Sequence, residues 1–314
     1  MNNKNYNYSI IIPHKNIPKL LQRCLDSIPS RDDLQIIVVD DNSDPSIVDF
    51  DNFPGYNRMG VECYFTKKGK GGGYARNFGL QKAKGKWILF ADADDFFNYC
   101  FIDILNQYIN DSHDVIFFNA NSVDSETYLP SFRVNHLNRY VSWYQTNPSK
   151  SELYLRYKFG EPWCKMIRYT LIEDHKIRFD EIPIHNDTRF SYLVGFYASS
   201  VSVDNRAVYC VTNRPKSVSK LLDAERSIAR VKVFATSDLF FRRYHIPLHE
   251  DWQFIELLDQ YKANKNLYHK EKSILLNLGY TSFKIYSEML SIQLYRIKIS
   301  LKTDLHKVLH TLSF

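Results

Sequence analysis

Three short apolar runs each stop abruptly in a polar cluster, and no other feature of the chain restricts its fold so much. Tyr8–Ile12 ends in Pro13-His14-Lys15, Gln35–Val39 in Asp40-Asp41-Asn42-Ser43, and Trp87–Phe90 in Ala91-Asp92-Ala93-Asp94-Asp95. Unbroken runs of β-branched and aromatic residues are strands buried on both faces. Residues 61–65 and 115–119 read the same way. Between these runs lie helical periods: Leu21, Cys24, Leu25 and Ile28 after a cap offered by Asn16, then Ala75, Phe78 or Gly79, Leu80 and Ala83 over residues 74–84, stopped by Gly85. Strands alternating with amphipathic helices predict an α/β fold, a doubly wound, mainly parallel sheet with helices on both faces. In such a sheet ligands gather at the carboxyl ends of the strands, so the three polar clusters are expected on one rim.

Farther along the pattern loosens. Residues 121–150 read as loops with an edge hairpin, 152–159 as a short helix, and 188–198 as an apolar helix preceded by His185-Asn186-Asp187. From about residue 222 the chain reads as helical, with Phe283, Tyr286, Leu290, Leu294, Ile297 and Leu301 on one face. Five scattered cysteines form no C-x-x-C pair, which argues against a zinc site or disulfide framework and for a reducing compartment. The polar N-terminus lacks the apolar core of a signal peptide, and the uncharged stretch Phe190–Val203 is shorter than the roughly 18 residues of a spanning helix. A cytoplasmic protein is expected.

The carboxylates after Phe90 suit a hard divalent cation that keeps sites free for phosphate oxygens. Asp-x-Asp alone is weak evidence, since aspartates also cap helices and make turns. Charge is uneven: residues 1–204 hold 23 Lys and Arg against 25 Asp and Glu, residues 205–314 hold 18 against 10. A basic end can face nucleic acid, an anionic membrane or an acidic substrate. No nucleic-acid motif accompanies it, and no nucleic-acid partner is expected.

Taken in order, the clusters resemble the family 2 glycosyltransferases, inverting enzymes of the GT-A fold that build bacterial surface polysaccharides. Ser9–Pro13 is similar to the family's opening strand and Ile36–Ser43 to its nucleotide-base loop. Ala75-Arg76-Asn77-x-Gly79 resembles its A-R-N-x-G helix, and Phe90–Asp95 its metal motif. Trp163-Cys164-Lys165, Ile177–Phe179 and Asn186-Asp187-x-x-Phe190 resemble its W-x-K, F and E-D-x-x-F segments. The resemblance covers residues 8 to about 218. It implies a GT-A domain over 1–220, with a nucleotide-sugar-binding half (1–120) and an acceptor-side half (121–220), before a helical basic region (221–314).

The resemblance also implies roles. Asp94, with Asp92, would hold Mn²⁺ or Mg²⁺ against the donor diphosphate, and Asp95 would support either. Pro13, Asp40 or Asp41, Arg76 and Asp92 would contact the nucleotide sugar, a UDP-sugar first among the choices. Asp187 would be the base that takes the proton of the attacking hydroxyl, unless it merely caps the following helix; Asn186 stands where the family has Glu. Trp163 and Lys165 would lie on the acceptor side, Trp163 being equally readable as core. His14 and His185 read as structural, Gly71–Gly73 as a flexible approach to Arg76, and Arg214, Lys216 and Ser217 as a loose match to a late diphosphate loop. The acceptor would be a glycan or lipid-linked saccharide, and the basic end would hold the protein at the inner face of a membrane. The rival readings are a nucleotide-sugar-binding protein without transferase activity and a sugar nucleotidyltransferase, whose early G-x-G-x-R loop is missing here.

Overall fold

The computed structural model describes residues 5–214 and 223–312, with side chains through residue 299. The chain forms two compact units that adjoin in sequence at Val218 and Ser219. In the first, β1 (Tyr8–His14), β2 (Leu34–Asp40), β3 (Val61–Phe65) and β4 (Trp87–Phe90) lie parallel in the order β3-β2-β1-β4. β2 and β4 are buried at every position and β1 at all but Pro13, as unbroken apolar runs require. β5 (Phe96–Phe97), β6 (Val115–Asp124), β7 (Lys165–Arg168) and β8 (Val201–Asn213) extend the sheet to eight strands in the order β3-β2-β1-β4-β7-β6-β8-β5. β7 runs antiparallel between β4 and β6, while β6 and β8 are parallel. The α/β sheet is therefore parallel in its first half and mixed in its second.

Register builds the rim. β1 pairs with β2 as far as His14 and Asp40, but with β4 only as far as Ile11 and Phe90. Pro13 thus lies beyond the end of β4, where no ladder bond on that side needs its missing N–H. Ala91, whose N–H donates to the Ile11 carbonyl, and Asp92 leave the sheet at the end toward which β1 and β2 run on to His14 and Asp40. Because β7 runs antiparallel to β4, its first residue, Lys165, starts at this same edge.

Helices α1 (Pro18–Asp26), α2 (Gly72–Lys82), α3 (Phe101–Asn106), α4 (Asn135–Thr146), α5 (Pro148–Tyr157), α6 (Tyr169–Asp174) and α7 (Thr188–Tyr197) complete this unit. Several differ from the sequence reading. Asn16 does not cap α1: it takes a left-handed φ of 58° and its Oδ1 accepts the Asp44 N–H at 2.7 Å, leaving Ile17 at the N-cap and Pro18 at the first helical position. α2 begins at Gly72, so Gly72 and Gly73 form its first turn instead of a flexible approach. A Cβ on Gly73 would stand 2.1 Å from the Asp180 carbonyl oxygen, so only glycine allows this contact. Gly85 does not stop the helix, which ends at Lys82; it lies against the Ser9 backbone. Residues 121–150, read as loops, hold the end of β6, all of α4 and the start of α5. β8 escaped notice because its middle, Asp204-Asn205-Arg206, is polar where its pairing with β6 shifts register, which breaks the strand's period.

The second unit packs α8 (Ala224–Arg243), α9 (Trp252–Ala263), α10 (Lys265–Asn277) and α11 (Ser282–Leu312) around Val231, Phe254, Leu257, Leu275, Ile285 and Met289. Asp223 and Asn264 cap α8 and α10 through their side chains. On α11 the buried face is Ile285 and Met289; the stripe expected from sequence lies outside, with Phe283 84% and Leu290 58% exposed. The side chains of Leu301 and Lys302 fall outside the described range, as do Lys216 and Ser217 altogether. Among the described residues no helix is long and apolar enough to cross a membrane.

Candidate active site

The first wall of the site is the loop after β2. Asp40 is buried, its Oδ2 accepting from His14 Nδ1 at 2.7 Å and from the Ser43 hydroxyl at 2.5 Å, its Oδ1 from the Ser43 N–H at 2.9 Å. The Ile17 N–H donates to His14 Nε2, which leaves the ring proton on Nδ1 and makes it the donor to Asp40. Burial raises the Asp40 carboxyl, but the bonds from His14 and Ser43 outweigh it and hold it below the ordinary range. His14 is thus structural, as its position suggested. Asp41, also buried, turns the other way: its Oδ2 accepts from the Gly71 N–H at 2.6 Å and its Oδ1 from the Lys70 N–H at 3.1 Å. It fixes the glycine loop that leads into α2.

The second wall is the aspartate loop after β4. Oxygens of Asp92, Asp94 and Asp95 all lie within 4.8 Å of one another. Each carboxylate has a partner. Asp92 Oδ1 accepts from Arg76 Nη2 at 2.6 Å, Asp94 Oδ2 from Arg214 Nε at 2.6 Å, and Asp95 Oδ1 from the Thr212 N–H at 2.7 Å. Strand β8 supplies the rest of the support: the Asp92 N–H donates to the Tyr209 hydroxyl at 2.8 Å, and the Thr212 hydroxyl donates to the Asp94 carbonyl at 2.7 Å, which Arg23 also contacts. Burial first, then the charges of Asp94 and Asp92, push Asp95 well above the ordinary carboxylate range. An all-oxygen, converging donor set with Asp92 and Asp94 reaching solvent fits a hard divalent cation.

The third wall joins α2 to α7. Arg76, 7% exposed, donates through Nη1 to Asn186 Oδ1 at 3.0 Å as well as to Asp92. Its Nε is buried with no acceptor among the described residues. Asp187 stands at the N-cap of α7, yet its side chain makes no capping bond. Burial pushes its carboxyl up; the Arg76 charge opposes this and the Asp92 charge adds to it. The loop that carries it is seated by stacked Phe179 and Phe190, both edge-on to Phe90 of β4. Pro13, Asp40, Asp41, Arg76, Asp92, Asp94 and Asp187 therefore all belong to one rim.

Two expected site residues are elsewhere. Trp163 is 5% exposed, stacked on Tyr209 and edge-on to Phe159, so it packs in the core and offers no sugar platform. Lys165 is 2% exposed; its Nζ donates to the carbonyls of Phe159 and Glu161 and to the Ser191 hydroxyl, and does not open to an acceptor. His185 takes a left-handed φ of 53° and its carbonyl accepts the Thr188 N–H, a turn role. Sequence reasoning missed Tyr209, Thr212, Arg23 and Glu161. The run Val208-Tyr-Cys-Val-Thr212 was the available strand signal for the first two; Arg23 and Glu161 carried none.

The family profile described as Glycosyl transferase family 2 matches residues 9–175. Among curated relatives, the poly(ribitol-phosphate) beta-N-acetylglucosaminyltransferase TarS of Staphylococcus aureus (strain MW2) is 26% identical over 215 residues, covering 66% of this chain and 36% of that protein. The chain spans less than two thirds of the length of this relative. Among solved structures, S. aureus TarS 1–349 in complex with UDP-GlcNAc superposes with a TM-score of 0.59 at 21% identity, over 87% of this chain and 79% of the other. The mannosyltransferase PcManGT from Pyrobaculum calidifontis, in complex with GDP-Man and Mn²⁺, gives 0.56 at 14%, over 96% and 87%. These superpositions are of the fold, and the profile spans more than half of the sequence. The chain belongs to glycosyl transferase family 2.

Proposed function

We propose that the protein transfers a sugar from a nucleotide sugar, a UDP-sugar first, to a hydroxyl of a glycan or lipid-linked saccharide in surface polysaccharide biosynthesis. One observation carries this reading. Arg76 bridges Asp92 of the aspartate loop to Asn186, the neighbour of Asp187, so the donor side and the base candidate meet at one side chain. The solved relatives with UDP-GlcNAc and with GDP-Man and Mn²⁺ support a nucleotide-sugar donor.

Asp94 and Asp92 would hold Mn²⁺ or Mg²⁺, which when bound supplies positive charge to the departing diphosphate. Asp41 and the β1 rim at Pro13 would meet the nucleotide, Asp40 being committed to His14 and Ser43. Asp187, whose carboxylate caps nothing, would take the proton of the attacking hydroxyl. That hydroxyl oxygen then bonds to the anomeric carbon while the diphosphate oxygen leaves with its electron pair. A carboxyl raised by burial is a better base near neutral pH than an ordinary one. The test is turnover of UDP, GDP and dTDP sugars with Mn²⁺, compared with Asp187→Asn. Donor binding retained with transfer down by at least about 100-fold is expected; full transfer by that variant would sink the base assignment.

The exposed apolar stripe of α11, with Lys298 beside it, extends the proposal to an anionic membrane surface carrying the acceptor.

A further inference from the structure

Asn186 leaves the base with no carboxylate neighbour in sequence, but the fold provides one from elsewhere. Three successive carbonyls, of Phe159, Gly160 and Glu161, are tied down at the start of α7. Lys165 Nζ donates to Phe159 O at 2.5 Å, to Glu161 O at 2.6 Å and to Ser191 Oγ at 3.0 Å, and Ser191 in turn donates to Gly160 O at 2.5 Å. All three ammonium protons are thereby used. At the other end of the segment, Arg156 donates to the carbonyls of Gly195 and Ala198 at the end of α7. A Cβ on Gly160 would stand 3.8 Å from the Thr188 hydroxyl, one residue from Asp187. Glu161 is therefore held against the turn that carries Asp187, and neither carboxylate accepts a hydrogen bond from any other described residue.

We infer that Glu161 is a second acceptor-site residue, donating a hydrogen bond to the acceptor beside the hydroxyl whose proton Asp187 takes, with Lys165 as its positioning residue. The inference rests on Asp187 being the base. Two carboxyl groups held at one turn resist ionising together, so the pair would present one acceptor and one donor, a match for neighbouring hydroxyls of a sugar or polyol. The surroundings assign the parts. Asp187 feels the charges of Arg76, Asp92 and Lys165; Glu161 feels those of Asp187, Lys165 and Arg133. Burial, then the Asp187 charge, pushes Glu161 up to about 7, which makes it the partner suited to carry a proton near neutral pH. The Arg76 charge favours the ionised form of Asp187.

The titration can be read without any substrate. In the full chain with ¹³C-labelled glutamate carboxyls, two signals should titrate near 7, of which one should vanish in Glu161→Gln and move down toward the ordinary range in Asp187→Asn. Glu271, also raised to about 7, serves as the control that Asp187→Asn leaves unmoved. No such Glu161 signal, or one indifferent to Asp187→Asn, overturns the pairing. A second arm uses UDP-GlcNAc with methyl glycosides and alditols as acceptors. Glu161→Ala should raise the acceptor KM about tenfold, with Glu161→Gln restoring it, and the wild-type KM should climb more steeply as pH passes 7 than that of Glu161→Gln, in which Lys165, pushed down to about 7 by burial, still titrates. An unchanged KM in Glu161→Ala overturns the acceptor role. If no UDP-sugar turns over, the functional reading fails while the titration still decides the pair.

Discussion

Arg214 Nε donates to Asp94 Oδ2 at 2.6 Å, so a carboxylate proposed to hold a metal already has the protein's own cation beside it. A divalent ion must compete with that guanidinium. Replacing Arg214 with methionine should therefore tighten Mn²⁺ binding to the donor-free protein. A gain of about fivefold, or about 1 kcal/mol, is the scale expected for one partly exposed pair. Calorimetric titration reads it directly, and equal or weaker binding would show that Arg214 does not guard the site.

Arg76 opposes the burial that raises Asp187. Removing its charge in Arg76→Met should therefore raise the Asp187 pKa further, and the acid limb of the pH–rate profile should move to higher pH. Arg76→Lys keeps the charge but cannot span both Asp92 and Asn186, so it should leave the limb nearly in place while lowering kcat. An unmoved limb in Arg76→Met would separate Arg76 from the base.

Glu271 gives the second unit its own pH dependence. The Ser227 hydroxyl lies 2.6 Å from Glu271 and also contacts Glu256, which is paired with Arg230 at 2.6 Å. One hydroxyl proton cannot serve two carboxylates, so one glutamate must donate, and it is the wholly buried Glu271. Burial pushes Glu271 up to about 7, above its unfolded value near 4.5. Stability from this group is then complete below the unfolded value and lost as pH rises through about 7. Glu271→Gln should flatten that decline and raise Tm at pH 8 by several degrees, on the rough scale of 4–8 °C per kcal/mol for a unit this size. Thermal melts at pH 5 and pH 8 decide it, and an equal decline in the variant would refute it.

The stripe on α11 predicts lipid binding. Ile285 and Met289 are buried on the opposite side, so Phe283→Ser with Leu290→Ser should leave the second unit folded while reducing sedimentation with phosphatidylglycerol vesicles. Wild-type protein that ignores such vesicles at low salt would remove the membrane reading.

The parallel half of the sheet was legible because its strands are buried on both faces and end in clusters that a packed interior cannot hold. The placing of Asp40, Asp92, Asp94 and Arg76 on one rim followed from that pattern and from the family likeness. Of the other half only the start of β6 was legible, since β8 is interrupted by a register shift and β7 is four residues long. Trp163 and Lys165 were misplaced for a related reason: a residue type known at an acceptor site says nothing about whether its ring is stacked or its ammonium spent. Glu161 was invisible because only the three-dimensional contacts of Lys165, Ser191 and Thr188 bring its segment to the start of α7.

The supports that β8 lends to the aspartate loop span 117 and 118 residues of sequence, from Asp92 to Tyr209 and from Asp94 to Thr212. The metal candidates are thus made early and held late. During synthesis Asp92, Asp94 and Asp95 leave the ribosome well before the strand that orders them, and this non-local closure belongs to the slower steps of folding. A fragment stopping at residue 175, where the family match ends, would carry every aspartate of the cluster and none of the β8 groups that hold them still.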